Sequence, residues 1–114
     1  MNKQSFYKDL FSKLLESTKQ NNIVWNEQSK SAIFTYLKYK NDLEVRLYIQ
    51  KGPNGHAVSL LEGPLNKVLE SAVFTTAESD KEIFKLIKQL EDYISTLKEE
   101  NKYNDLKDLL THIP

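Results

Sequence analysis

The chain contains no cysteine. That excludes a disulfide framework, thiolate metal sites and a cysteine nucleophile, and it suits a reducing compartment. No apolar run approaches the ~18 residues that would span a membrane. The opening MNKQSFYKDLFSKLL is broken by Lys8, Asp9 and Lys13, so it lacks the apolar centre of a signal peptide. A cytoplasmic protein with no membrane partner is the expectation. Histidine occurs only as His56 and His112, far apart and in no HxxxH or HExxH spacing. A zinc site needs three or four converging ligands, so both histidines are expected to be solvated and no metal is expected. No serine lies in a G-x-S-x-G elbow, and Ser59 falls on the opposite side of a strand from His56. The carboxylate pairs Asp80/Glu82, Glu91/Asp92 and Glu99/Glu100 read as solubilising charge on or near a helix. No catalytic residue and no cofactor emerge, and an enzyme is not expected.

Glycine and proline are scarce, three of each, and all three glycines fall within QKGPNGHAVSLLEGPLNK, residues Gln50 to Lys67. A phosphate cradle would need such glycines to feed a helix N-terminus, where amide donors and the helix dipole meet the anion. Here Gly52-Pro53-Asn54-Gly55 is followed instead by the β-patterned HAVSLLE, and Gly63-Pro64-Leu65-Asn66 separates it from KVLESAVFT. Both quartets are read as hairpin turns. Pro64 with Leu65, Val68, Leu69 and Ala72 would also suit a short helix. The β-prone Val73-Phe74-Thr75-Thr76 favours a strand.

Arginine is scarcer still. Of sixteen basic residues only Arg46 is one, against sixteen acidic residues, for a formal net charge of zero. Residues 1–61 carry nine basic and five acidic residues (+4), and residues 62–114 carry seven and eleven (−4). Planar phosphate recognition favours arginine, so this lysine-rich composition is a weak signal for nucleic acid.

What is present is periodic. SFYKDLFSKLLEST sets Phe6, Tyr7, Leu10, Phe11, Leu14 and Leu15 in pairs four residues apart, the stripe of a helix. Asn2 or Ser5 can cap it, and Gln20-Asn21-Asn22 can end it. Ile23-Val24-Trp25 reads as a short strand with a core tryptophan. Strands are expected over Ser31–Tyr39 and Leu43–Lys51, joined by the turn Lys40-Asn41-Asp42. A three-residue loop sets Leu37 opposite Val45 and Ile33 opposite Ile49, whereas a one-residue slip would invert every side chain. Ser79 and Glu82 have the spacing of a capping box. Ile83, Leu86, Ile87, Leu90, Ile94 and Leu97 then form a helical stripe. Its phase reaches only polar residues afterwards, so a break near Asn101–Asn104 and a short final helix are expected. Residues 1–114 thus form one α+β domain of two layers: an N-terminal helix, an antiparallel β-meander of about five strands, a long C-terminal helix and a short final helix.

The pattern FxxxLLxxT with NxIVW, Phe11 to Trp25, followed by meandering strands and a closing amphipathic helix, resembles small bacterial and mobile-element proteins. That resemblance implies a fold and no activity. The order of elements is also similar to that of bacterial secretion chaperones, although those tend to be acidic dimers with another helix between strands, and this chain departs from both features.

The register places Phe34 across from Tyr48 and Tyr36 across from Arg46, on the sheet face that apolar alternation leaves away from the helices. Exposed aromatics beside arginine are what protein-binding hot spots contain. The same pairs would also stabilise a sheet by ~0.5–1 kcal/mol each with no partner at all. The leading expectation is a non-enzymatic protein-binding module, an adaptor, chaperone-like factor or inhibitor, monomeric or homodimeric, with Phe34, Tyr36, Arg46 and Tyr48 as the binding residues. A second reading is single-stranded nucleic-acid binding, with bases stacked on the aromatics and phosphates met by Lys38, Lys40 and Lys51. Zero net charge and the lack of an RNP-like motif disfavour it. A small-ligand binder or enzyme without a motif is the third.

Overall fold

A computed structural model describes all residues from Met1 to Pro114. Helix α1 spans Lys3–Lys19 and is capped by Asn2, whose side chain accepts the Ser5 amide at 2.8 Å. It ends where Asn21 takes a positive φ of 60°, the left-handed conformation that asparagine tolerates beyond a helix. Its buried stripe is Tyr7, Phe11, Leu14 and Thr18.

Five strands follow as an antiparallel meander in the order β1-β2-β3-β4-β5: Asn26–Ser29, Ala32–Lys38, Glu44–Lys51, Gly55–Glu62 and Lys67–Thr75. The β2–β3 register is the one that hydrophobic facing dictates, with Leu37 beside Val45, Ile33 beside Ile49, Phe34 beside Tyr48 and Tyr36 beside Arg46. Residues 40–42 close the loop in a 3-10 turn, and Asn41 and Asp42 supply its positive φ angles. Both glycine-proline quartets are hairpin turns, and Lys67–Thr75 is a strand.

Helix α2 spans Lys81–Leu106 and buries Ile83, Ile87 and Leu90. Both helices pack on one sheet face. Their apolar stripes form a single core with Val45, Leu47, Ile49, Val58, Leu60, Ala72 and Phe74, residues that share one parity across the paired strands. The structure is therefore a two-layer α+β fold. No helix is long and apolar enough to cross a membrane.

Three local expectations are corrected. Ile23-Val24-Trp25 is an extended connector, and the first strand begins at Asn26. Side-chain bonds rather than a ladder hold the connector: Trp25 Nε1 donates to Thr18 Oγ1 at 2.9 Å, and Thr35 Oγ1 donates to the Val24 carbonyl at 2.8 Å. The capping box does not form. Ser79 lies in a 3-10 turn, Glu78–Asp80, and Asp80 takes the position before α2, where its carboxylate accepts the Thr75 amide at 2.9 Å. Helix α2 also does not break at Asn101–Asn104. With no glycine or proline there it continues to Leu106, and the short final helix follows as a 3-10 segment, Lys107–His112.

Candidate functional site

The sheet face opposite the helices is open. Its central rows are Asn26, Phe34, Tyr48, Ser59 and Ser71 on one level, and Tyr36, Arg46, Leu61 and Val68 on the next. All residues of the final 3-10 segment are exposed, so that segment does not cover this face.

Strands β2 and β3 raise an aromatic ridge on it. The Phe34 and Tyr48 rings lie 5.0 Å apart at 31°, and Phe34 meets Tyr36 edge-on at 5.7 Å. The Arg46 guanidinium sits 5.6 Å from the Tyr48 ring centre, and its Nη1 donates to the Tyr48 hydroxyl at 3.1 Å. These contacts fix the orientation of the only arginine and hold three rings as one unit. Tyr36 is 50% exposed, and Phe34, Arg46 and Tyr48 are half-buried by one another. Beside the ridge, Ala57, Ser59 and Ser71 form a low shelf of small side chains, with Val68 and Val73 exposed at the far edge. A ridge next to a shelf is a shape a partner can key into. Arg46 forms no ion pair within the chain, so its remaining donors are free for an incoming carboxylate.

All four residues expected at the site are therefore brought together. Of the lysines expected beside them, two are not. Lys51 pairs with His56 on the helix-facing parity, and Lys40 lies in the turn with its Nζ 5.8 Å from the Tyr39 ring. Only Lys38 joins Arg46 as a cation on the open face, and it stands opposite Glu44.

A second polar feature joins the sheet to α2. His56 is not solvated. It is 2% exposed, its Nε2 lies 2.5 Å from Glu91 Oε1, and its ring meets Phe84 edge-on at 5.2 Å. Its Nδ1 has no partner. The signal was present in the alternation of HAVSL, where His56, Val58 and Leu60 share the core face. Glu91 belongs to the sequence-distant α2, so the pair itself had no local signature. His112 is exposed as expected, and no group of three or more His, Asp or Glu side chains converges as metal ligands. The pair bridges sheet to helix with almost no solvent access to the imidazole, which suits a packing role better than substrate chemistry.

Comparison with protein-family models, curated proteins and solved structures found no match.

Proposed function

We propose that the protein is a non-enzymatic binding module that engages a protein partner through the open face of its sheet. The observation carrying this reading is the exposed aromatic ridge of Phe34, Tyr36 and Tyr48, with Arg46 oriented across it and lacking a carboxylate partner. Rigid aromatics and an arginine are the side chains that dominate binding energy at protein interfaces. The partner that fits offers an apolar side chain to the ridge and a nearby carboxylate to Arg46. Adaptor, chaperone-like factor and inhibitor are roles such a module can fill in the cytoplasm. Single-stranded nucleic acid is the less favoured partner, because two cations on the face give a short phosphate track.

Capture from the native host tests the reading when wild type is run beside Tyr36→Ala and Arg46→Ala. A protein retained by wild type and lost from both variants supports it. Proteins retained equally by all three place the binding surface elsewhere.

A further inference from the structure

Every residue from Lys98 to Pro114 is exposed, although α2 runs unbroken to Leu106. This arm carries Tyr103, Leu106, Leu109, Leu110 and Ile113, which are 44–72% exposed. A chain of this length folded on itself should have a radius of gyration of about 13 Å. The observed value is 16.4 Å, with a longest dimension of 61 Å, and the projecting arm accounts for the difference. Helical ends of this length are marginal in water without support, and Asn101 and Asn104 weaken this one further.

A groove of about 870 Å³ opens at the base of the arm, between the connector after α1 and the C-terminal half of α2. Ile23, Trp25, Ile33, Ile94 and Leu97 supply its apolar lining, with Val24 exposed on its rim. Lys30 lines it without an ion-pair partner within the chain, and so do Lys102 and Asp105 from the arm itself.

We propose that the arm of one chain docks in the groove of a second copy, and reciprocally, to form a two-fold homodimer. Leu106 belongs both to the groove lining and to the apolar stripe of the arm. Ridge and groove are therefore contiguous on one chain, as a self-complementary two-fold contact requires. Leu109, Leu110 and Ile113 lie beyond the last groove residue of an unbroken helix, so the arm does not return to its own groove. Charge agrees. The arm carries Glu99, Glu100, Asp105 and Asp108 against Lys98, Lys102 and Lys107, a net charge of −1, and Lys30, the one unpaired groove lysine outside the arm, can meet one of these carboxylates. Area agrees too. Five large side chains about three-fifths exposed present about 500 Å² per arm. Two arms and two smaller grooves then bury at most about 1,500 Å², within the range of a standard protein–protein interface.

The test is light scattering of the full chain at roughly 100 μM, well above a micromolar dissociation constant. A mass twice the 13.3 kDa of one chain is expected. Two variants alter only exposed positions: Leu109→Asp with Leu110→Asp on the arm, and Val24→Glu on the groove rim. Each should weaken dimerisation about tenfold or more. The sole tryptophan, Trp25, lines the groove, so its emission should shift to the red as wild type is diluted and should already be shifted in both variants. A monomeric wild type overturns the proposal. So does an emission that ignores dilution, which would put the chain's own arm in the groove. A dimer lost on the arm substitutions but kept by Val24→Glu overturns it as well, since the arms would then pair with each other.

Discussion

Tyr7→Phe should make the protein more stable, although it removes a polar group from the centre of the core. The Tyr7 side chain is fully buried, and its hydroxyl makes no hydrogen bond of good geometry, although the Glu70 carboxylate is close enough to act on it. Leaving such a group dehydrated and unpaired costs about 1–3 kcal/mol. Phenylalanine keeps the ring, and with it the edge contact to Phe74 at 4.9 Å and the stacking on Phe11 at 6.4 Å. The vacated space is about one oxygen atom, a cavity cost below about 0.5 kcal/mol. The balance is a gain of about 1 kcal/mol, or about 4 °C in Tm for a domain of this size. Urea unfolding at pH 7 should raise the midpoint with an unchanged slope. A second reading comes from alkaline pH. Burial first, and the nearby Glu70 carboxylate second, hold the Tyr7 hydroxyl well above the ordinary tyrosine range. Below about pH 10 both folded and unfolded chains keep the proton. Above it the unfolded chain releases a proton that the folded chain retains, so stability falls with rising pH. Wild type should therefore lose up to about 1.4 kcal/mol per pH unit more than Tyr7→Phe above pH 10. A variant destabilised by more than about 1 kcal/mol at pH 7 would mean that Glu70 or a water satisfies the hydroxyl, and the reasoning would fail.

Three further stability predictions share that assay. Leu47→Ala should cost about 2–5 kcal/mol as a core truncation, whereas Tyr48→Ser, one residue along and facing the other way, should cost much less. Equal large losses would mean that both sheet faces are covered. Gly55→Ala should cost about 1–3 kcal/mol, because a Cβ there would lie 2.5 Å from the Phe74 carbonyl oxygen on the paired strand; a neutral result would mean that β4 and β5 separate freely at that point. Glu91→Ala should cost about 1–3 kcal/mol by leaving both nitrogens of buried His56 unpaired, and an unchanged urea midpoint would show that the pair contributes nothing.

The parts of the fold legible in the sequence are those governed by a short period. Alternation in LEVRLYIQ and the three-residue turn before it determine the register of β2 and β3, and that register alone gathers Phe34, Tyr36, Arg46 and Tyr48. What was not legible depended on competition between nearby residues or on distant contacts. Asp80 displaced the capping box because the end of β5 offered its carboxylate the Thr75 amide. The intrinsic β-preference of Ile23-Val24-Trp25 lost to side-chain bonds, one donated by Trp25 to Thr18 and one donated by Thr35 to the Val24 carbonyl. The phase change after Leu97 reads as a break, yet it marks the residue where burial stops while the helix continues. His56 and Glu91 meet across 35 residues, a distance that no local pattern bridges.

The most direct measurement of the central claim is the affinity of the captured protein partner for wild type, Tyr36→Ala and Arg46→Ala, taken by calorimetry at about 50 and about 200 mM salt. Each substitution should weaken binding by about 2 kcal/mol or more while the unfolding midpoint barely moves. Wild-type affinity should change little between the two salt concentrations, since an aromatic core rather than a run of phosphates holds the complex. Full affinity in both variants would contradict the account, and so would a steep loss of wild-type binding with salt.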